Sequence, residues 1–318
     1  MMRKYRVAAI GDLVADLITG LPSFPIQDGD FRAVDQIYLE AGGNANFLIT
    51  AARLGLEPIA LGAIGDDQWG QEVLRILQKE RINTSFLATN GTTTLVQVLI
   101  DEGGGHAFLG KYGEGKELGF REDHQRILGE AAALFCSGYS FSDSRMREFS
   151  RQALAASRHL GLTSYFDSGP SFQELEENLK KEILEKVDVL MLTEEEIPAV
   201  NIEGIPAILI SGPELVILKK GALGCVIYQR GNDLIEEPGY PVEVVDTTAA
   251  GDSFDASFIA ARCWGWSLRD CARFGNVAGA AKVKKMGGGQ NVPDEKDIRE
   301  IIAKFQVDLP KLPLTDLG

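Results

Sequence analysis

Val242-Glu-Val-Val-Asp246-Thr-Thr-Ala-Ala-Gly-Asp252-Ser-Phe254-Asp-Ala-Ser-Phe258 is the stretch of this 318-residue chain on which the fold turns. Val242 to Val245 reads as a strand. Phe254, Phe258 and Ala261 stand at i, i+4 and i+7, one face of a helix that ends near Gly265. The residues between are small, so a tight turn delivers a helix N-terminus at residues 249 to 252. Unpaired amides point outward there, the helix dipole favours negative charge, and small side chains let a phosphate approach the backbone. Asp252 sits at the mouth of this amide cup. It reads either as a cap for the helix or as a general base beside a transferring phosphoryl group.

On either side of this stretch, short apolar runs alternate with helical patterns. Val7 to Ile10, Ile59 to Ile64, Ala133 to Cys136, Tyr165 to Asp167, Val187 to Leu192 and Leu215 to Leu218 read as strands. Helical faces fall between them: Trp69, Val73, Ile76 and Leu77, then Arg145 to His159, then Phe172 to Lys186. This βαβα rhythm predicts an α/β fold, a mainly parallel sheet flanked by helices on both faces. Residues 13 to 40 and 92 to 110 break the rhythm. The second reads as a hairpin, Leu95 to Ile100 and His106 to Leu109 around a turn at Asp101-Glu-Gly-Gly-Gly105. Both fit a small β lid inserted into a single domain that spans residues 1 to 318.

Composition narrows the partners. Hydrophobic residues make up 45% and charged residues 25%, ordinary globular usage that supports a buried core. The net charge of −14 opposes binding to a nucleic-acid backbone, so an anionic ligand must be held locally. Cys136, Cys225, Cys263 and Cys271 show no metal spacing and read as small buried hydrophobes, which fits a cytoplasmic protein. Asp12 and Asp16 interrupt the N-terminal apolar run, so neither a signal peptide nor a membrane span is expected.

A second site is Gly42-Gly43-Asn44-Ala45-Asn46. Ala45, Leu48, Ile49 and Ala52 fall at helical spacing, so a helix starts near Asn44 and stops at Gly55. Its two glycines and two carboxamides read as an Asn-capped turn or as a cradle for neutral hydroxyls.

Together, Gly42 to Gly55 and Asp246 to Phe254 resemble the two signatures of the ribokinase-like (PfkB) carbohydrate kinase family. Gly65-Asp-Asp-Gln-Trp-Gly70 is similar to a third family segment, and the resemblance runs in order over nearly the whole chain. It implies an ATP- and Mg²⁺-dependent kinase acting on a sugar hydroxyl, with K⁺ as an activating ion. Asp252 is then the base, and the amides of Ala249, Ala250 and Gly251 form the anion hole. Asp16 matches the family's sugar-binding aspartate on the first strand, and Gly42, Gly43 and Asn46 hold further hydroxyls. Lys219, Gly221, Gly224 and Asn276 match nucleotide-contacting positions. Asp246 and Thr248 match one side of the monovalent-cation site, the loop from Lys284 to Gly288 the other. Two features depart from the family. The spacing from Gly43 to Ala45-Asn46 is one residue short. The Asn-x-x-Glu motif linked to Mg²⁺ appears as Thr193-Glu-Glu-Glu196, which is also a capping box, so Glu196 carries both readings.

Other chemistries find no support. The chain has no P-loop, no dinucleotide-binding glycine fingerprint after the first strand and no zinc spacing among His106, His124 and His159, which read as surface or partly buried side chains. The lysines near 219 and 282 read as solvated charges. Three functions remain: a sugar kinase, a nucleoside kinase on the same fold, and a catalytically silent sugar-binding protein. The hairpin alternates Leu95, Gln97 and Leu99 with Val96, Val98 and Ile100, so its outer face calls for a cover. A homodimer through the lid would supply one.

Overall fold

The computed structural model describes residues 5–35, 37–102, 106–200 and 203–313. The part of the hairpin turn at 103–105 lies outside the described residues. In chain order the strands are β1 (Arg6–Ile10), β2 (Leu13–Leu21), β3 (Ile37–Gly43), β4 (Glu57–Ile64), β5 (Leu87–Thr89), β6 (Thr94–Asp101) and β7 (His106–Lys111). They continue as β8 (Ala133–Ser137), β9 (Ser164–Asp167), β10 (Val189–Thr193), β11 (Leu215–Lys219), β12 (Cys225–Gln229) and β13 (Ile235–Glu237).

Nine of these form one sheet in the order β13-β12-β11-β10-β9-β8-β1-β4-β5. All its pairings are parallel except those of β12 and β13 at one edge. A parallel sheet needs both faces covered, and β1 shows how the sequence meets that need. Val7 and Ala9 join one hydrophobic cluster and Ala8 and Ile10 the other. Phe47, on the helix Ala45–Arg53, stacks on Phe135 of β8 with ring centroids 3.9 Å apart, fixing that helix on the first face. The chain leaves β1 for β4 on one side and returns to β8 on the other. The carboxyl ends of β1 and β8 therefore flank a topological switch point, where open α/β sheets leave a crevice.

The two segments that break the rhythm meet in a second sheet, β3-β2-β6-β7. β2 pairs antiparallel with β3, setting Asp16 against Glu40, and parallel with β6, setting Asp16 against Val96. Ile18, Val98 and Ile100 bury one patch of it, while Ile37 and Leu109 are exposed.

Several expectations are corrected. Val242 to Val245 is irregular rather than a strand: Val245 gives its amide to the Val283 carbonyl, and among the described residues the segment pairs with no strand. The helix expected over Phe172 to Lys186 is a 3₁₀ turn, Pro170–Glu174, then a helix, Glu177–Leu184, separated by extended Leu175 and Glu176. His124 is fully buried, its ring edge-on to Phe149. Cys136, Cys225 and Cys271 are buried free thiols, as expected, and Cys263 is half-buried. Among the described residues no helix is long and apolar enough to cross a membrane.

Candidate active site

The turn before the helix Ala250–Cys263 is built by Asp246. Its Oδ1 accepts from the Thr248 amide (2.9 Å) and hydroxyl (2.8 Å), and its Oδ2 from the Gly287 amide (2.6 Å). Burial pushes this carboxyl up, but these bonds and the nearby Lys282 charge outweigh it and hold it below its ordinary value. Ala249 caps the helix with no side-chain bond, at φ 61° and ψ 11°. A left-handed alanine costs about 1–2 kcal/mol, a strain maintained by the surrounding bonds. The Ala250 amide donates to the Thr247 carbonyl (3.1 Å), so of the expected anion-hole donors Ala249 and Gly251 are the ones without an acceptor among the described residues.

Asp252 lies in the first helical turn and is not the cap. Its Oδ2 accepts from Asn46 Nδ2 at 3.1 Å, and Asn46 Oδ1 in turn accepts from the Gly289 amide at 2.7 Å. Asn46 thus braces Asp252 at one end and the 287–289 turn at the other, and it also lines the cavity in which the resemblance has it holding substrate hydroxyls. Burial and the neighbouring Asp167 push the Asp252 carboxyl up to about 7, against the pull of Lys219 and Asn46. A carboxyl poised near neutral pH at a helix N-terminus can accept a proton and release it.

A cavity of about 410 Å³ opens in front of Asp252, at the switch point between the two sheets. Asp12, Asn44, Ser137, Tyr139 and Asp167 line it from the large-sheet side, and Val14, Asp16, Thr94, Val96 and Tyr112 from the small-sheet side. Asp16 stands on β2, the second strand, and not on the first. Gly42 serves Asp16 directly: a Cβ there would lie 1.8 Å from Asp16 Oδ2, so only glycine lets that carboxylate lie across β3. Gly43 and Asn44 line the cavity, and the Asn44 amide donates to the Asp12 carbonyl (2.8 Å). Burial and the charges of Glu40, Asp12 and Asp252 push Asp16 up to about 7, and burial pushes Asp12 up to about 6. Asp12 Oδ1 and Asn44 Oδ1 are buried acceptors with no donor in reach among the described residues. Buried acceptors without a donor from the protein suit a ligand rich in hydroxyl donors.

Lys219 is no solvated charge. Its ammonium lies 3.1 Å from Asp167 Oδ2 and 3.2 Å from each oxygen of Asp255, directly beneath Gly251. Burial lowers its pKa, yet Asp167, Asp255 and Glu196 more than reverse this, so it stays a fixed cation below the amide cup. Glu196 accepts from the Thr193 amide (3.0 Å), completing the capping box, and from the Ser168 hydroxyl (3.0 Å). Burial beside Asp167 raises it above its ordinary value. Gly221 opens a single 3₁₀ turn, Gly221–Leu223. Gly224 packs on the Glu237 carbonyl, where a Cβ would come within 2.2 Å. Asn276, buried rather than facing solvent, donates to the carbonyls of Glu237 and Pro238 at 3.1 Å each.

Asp12, Tyr139, Asp167 and Asp255 are site residues the sequence reading left unassigned. Asp12, Ser137 and Asp167 each lie at or just past the carboxyl end of a strand, which is the signal that could have found them.

A family model described as pfkB family carbohydrate kinase matches residues 4–295. A nucleoside kinase of Methanothermobacter thermautotrophicus is 26% identical over 312 residues, 95% of this chain and 97% of the relative. A ribokinase of Mus musculus is 24% identical over 318 residues, 92% of this chain and 93% of the relative. Among solved structures, Arabidopsis thaliana ribokinase complexed with ribose and ATP matches with a TM-score of 0.81 at 22% identity, over 94% of this chain and 99% of that one. That identity speaks for the fold alone. The family model spans both sheets and every residue of the cavity, and the chain belongs to the pfkB family of carbohydrate kinases.

Proposed function

We propose that this chain transfers the γ-phosphoryl group of ATP to a hydroxyl of a neutral, sugar-like acceptor, with Asp252 as the general base. The observation that carries the reading is Asp252 itself. It is a carboxyl poised near pH 7, beside the amides of Ala249 and Gly251 and at the floor of a cavity rich in hydroxyl acceptors. The acceptor hydroxyl gives its proton to Asp252 as its oxygen attacks the γ-phosphorus, and the bond from that phosphorus to the β,γ-bridging oxygen breaks to release ADP. The amides of Ala249 and Gly251 and the Lys219 cation meet the charge on the transferring phosphoryl oxygens. Asp16, Asp12 and Asn44 orient the other hydroxyls.

Asp12, Asp16, Asp167 and Asp252 crowd the cavity. Lys111, the only cation among its described lining residues, is exposed and paired with Glu114 at 3.1 Å. A phosphorylated or carboxylated acceptor is therefore repelled. Tyr112 and Tyr139 offer flat apolar faces, which favours a nucleoside as the second reading. The nucleotide is assigned to the side bounded by Gly221 to Gly224, Asn276 and residues 284–289, where Leu223, Val244 and Met286 are exposed.

The residues present fit Mg²⁺. Asp167 Oδ1 is a buried acceptor with no donor among the described residues, and Glu196 brings a second carboxylate near it. That is the donor count expected where phosphates and water complete the shell. Asp167 and Glu196 would hold the ion, which would supply positive charge against the phosphates.

ADP production over neutral sugars, sugar phosphates, sugar acids and nucleosides tests the reading. Turnover of a neutral sugar or nucleoside supports it, and turnover confined to anionic acceptors refutes it. A cytoplasmic location fits the free thiols, and a homodimer through the exposed Ile37 and Leu109 of the small sheet belongs to the same proposal.

A further inference from the structure

Lys282, the last residue of the helix Leu268–Lys282, is fully buried, 0% exposed. Its ammonium donates to the Lys285 carbonyl at 2.8 Å and lies 3.5 Å from the Asp246 carbonyl. It therefore bridges the turn that precedes the amide cup and the turn that follows its own helix. The same two turns are joined by the amides of Val245 and Asp246, which reach the Val283 carbonyl at 2.7 and 3.1 Å.

The second turn orders the site through three successive amides. Gly287 donates to Asp246, Gly288 to Glu40 (2.6 Å) and Gly289 to Asn46. Asp246 shapes the anion hole, Asn46 braces the base, and Glu40 stands opposite Asp16 across the small sheet. Two carboxylates and two carbonyls thus converge where, among the described residues, Lys282 is the cation that balances them from within. Burial, helped by Lys285, lowers its pKa below the ordinary lysine value, and the charges of Asp246 and Glu40 offset only part of that fall.

This is also where the family resemblance places K⁺, and the residues do not fit that ion. Both carboxylate oxygens of Asp246 are engaged by the Thr248 and Gly287 donors, and the Asp246 and Lys285 carbonyls face the ammonium. An ion stripped of water needs several oxygens turned toward it, and here a lysine already takes them.

We propose that the Lys282 ammonium is a built-in substitute for the monovalent cation, a positioning group that orders the Ala249–Asp252 loop and frees this enzyme from K⁺. The inference rests on residues 249–252 being the anion hole of the proposed kinase.

The test compares wild-type protein with Lys282→Met in potassium, ammonium and tetramethylammonium chloride at equal ionic strength. Wild-type turnover is expected to be the same in all three. In Lys282→Met, kcat should fall at least tenfold with the acceptor KM nearly unchanged, and potassium or ammonium should restore it several-fold where tetramethylammonium does not. Thermal melting gives a second readout that needs no acceptor. Potassium or ammonium should raise the melting temperature of the variant over its value in tetramethylammonium, and leave that of the wild type unmoved. Potassium stimulation of the wild type, or a damaged variant that no small cation restores, overturns the proposal. So does a melting shift of equal size in both proteins, which also decides the matter if the variant is too damaged to turn over. A wild type inactive on every acceptor would refute the kinase reading instead, and the melting arm would still report on Lys282.

Discussion

Replacing Asp252 with asparagine removes the proposed base and little else. The two side chains are nearly isosteric, and the new carbonyl oxygen can still accept from Asn46, 3.1 Å away in the native protein. The helix cap at Ala249 uses no side chain, so folding does not hang on residue 252. General-base catalysis contributes about 10²–10⁴ in rate, so single-turnover transfer near pH 8 should fall at least about 100-fold. The native carboxyl titrates at about 7, raised by burial and Asp167. It is roughly nine-tenths ionised at about pH 8 and one-tenth at about pH 6, so wild-type kcat/KM should drop about tenfold over that interval. The residual rate of the variant should lack this limb. Removing a negative charge beside the γ-phosphate should leave ATP affinity unchanged or slightly tighter. Rapid-quench transfer from labelled ATP reads the rate, and calorimetry reads the nucleotide affinity separately. A variant within about threefold of wild type, or one that keeps the wild-type acid limb, would refute the assignment.

Asp16→Ala should raise the acceptor KM by about tenfold or more and leave the ATP KM alone, since a charge-assisted hydrogen bond contributes about 1.5–3 kcal/mol. An unchanged acceptor KM with reduced turnover would give Asp16 another role. Asn46→Leu removes a bond that favours the ionised base, so the acid limb of kcat/KM should move to higher pH; a limb that stays in place means Asn46 does not tune Asp252. Asp12, Asp16, Glu40 and Asp252 titrate at about 6, 7, 7 and 7 in the folded protein, above their ordinary values. Their protonated forms favour the folded state, a contribution that is full below pH about 4 and is lost as pH rises through about 6 to 7. The ligand-free melting temperature should accordingly fall between about pH 5 and pH 8, and a rise would contradict the burial of these carboxyls. Sedimentation at high concentration should reveal a dimer that Leu109→Lys dissociates, and a strict monomer would remove the lid-to-lid contact.

The amide cup was legible before any fold was known, because small residues, a helical apolar period and one carboxylate at the helix start are local properties of residues 246 to 261. So were most strands, since a parallel sheet covered on both faces requires unbroken apolar runs such as Val7 to Ile10. Residues 242 to 245 misled for a related reason. Their valines have the composition of a strand, yet the backbone there is held by the Val283 carbonyl, a partner nearly 40 residues away. Long-range placement decided the rest. Only the fold puts β2 beside β6, so that Asp16 faces Asp252 across one cavity. Only the fold shows that Asn46, a residue of the cavity lining, also braces the base, because its partners lie at residues 252 and 289. Lys219 and Lys282 read as solvated in sequence because a lysine on its own prefers water. Each is buried where the chain supplies carboxylates or carbonyls from distant segments, and that compensation exists only in the tertiary structure.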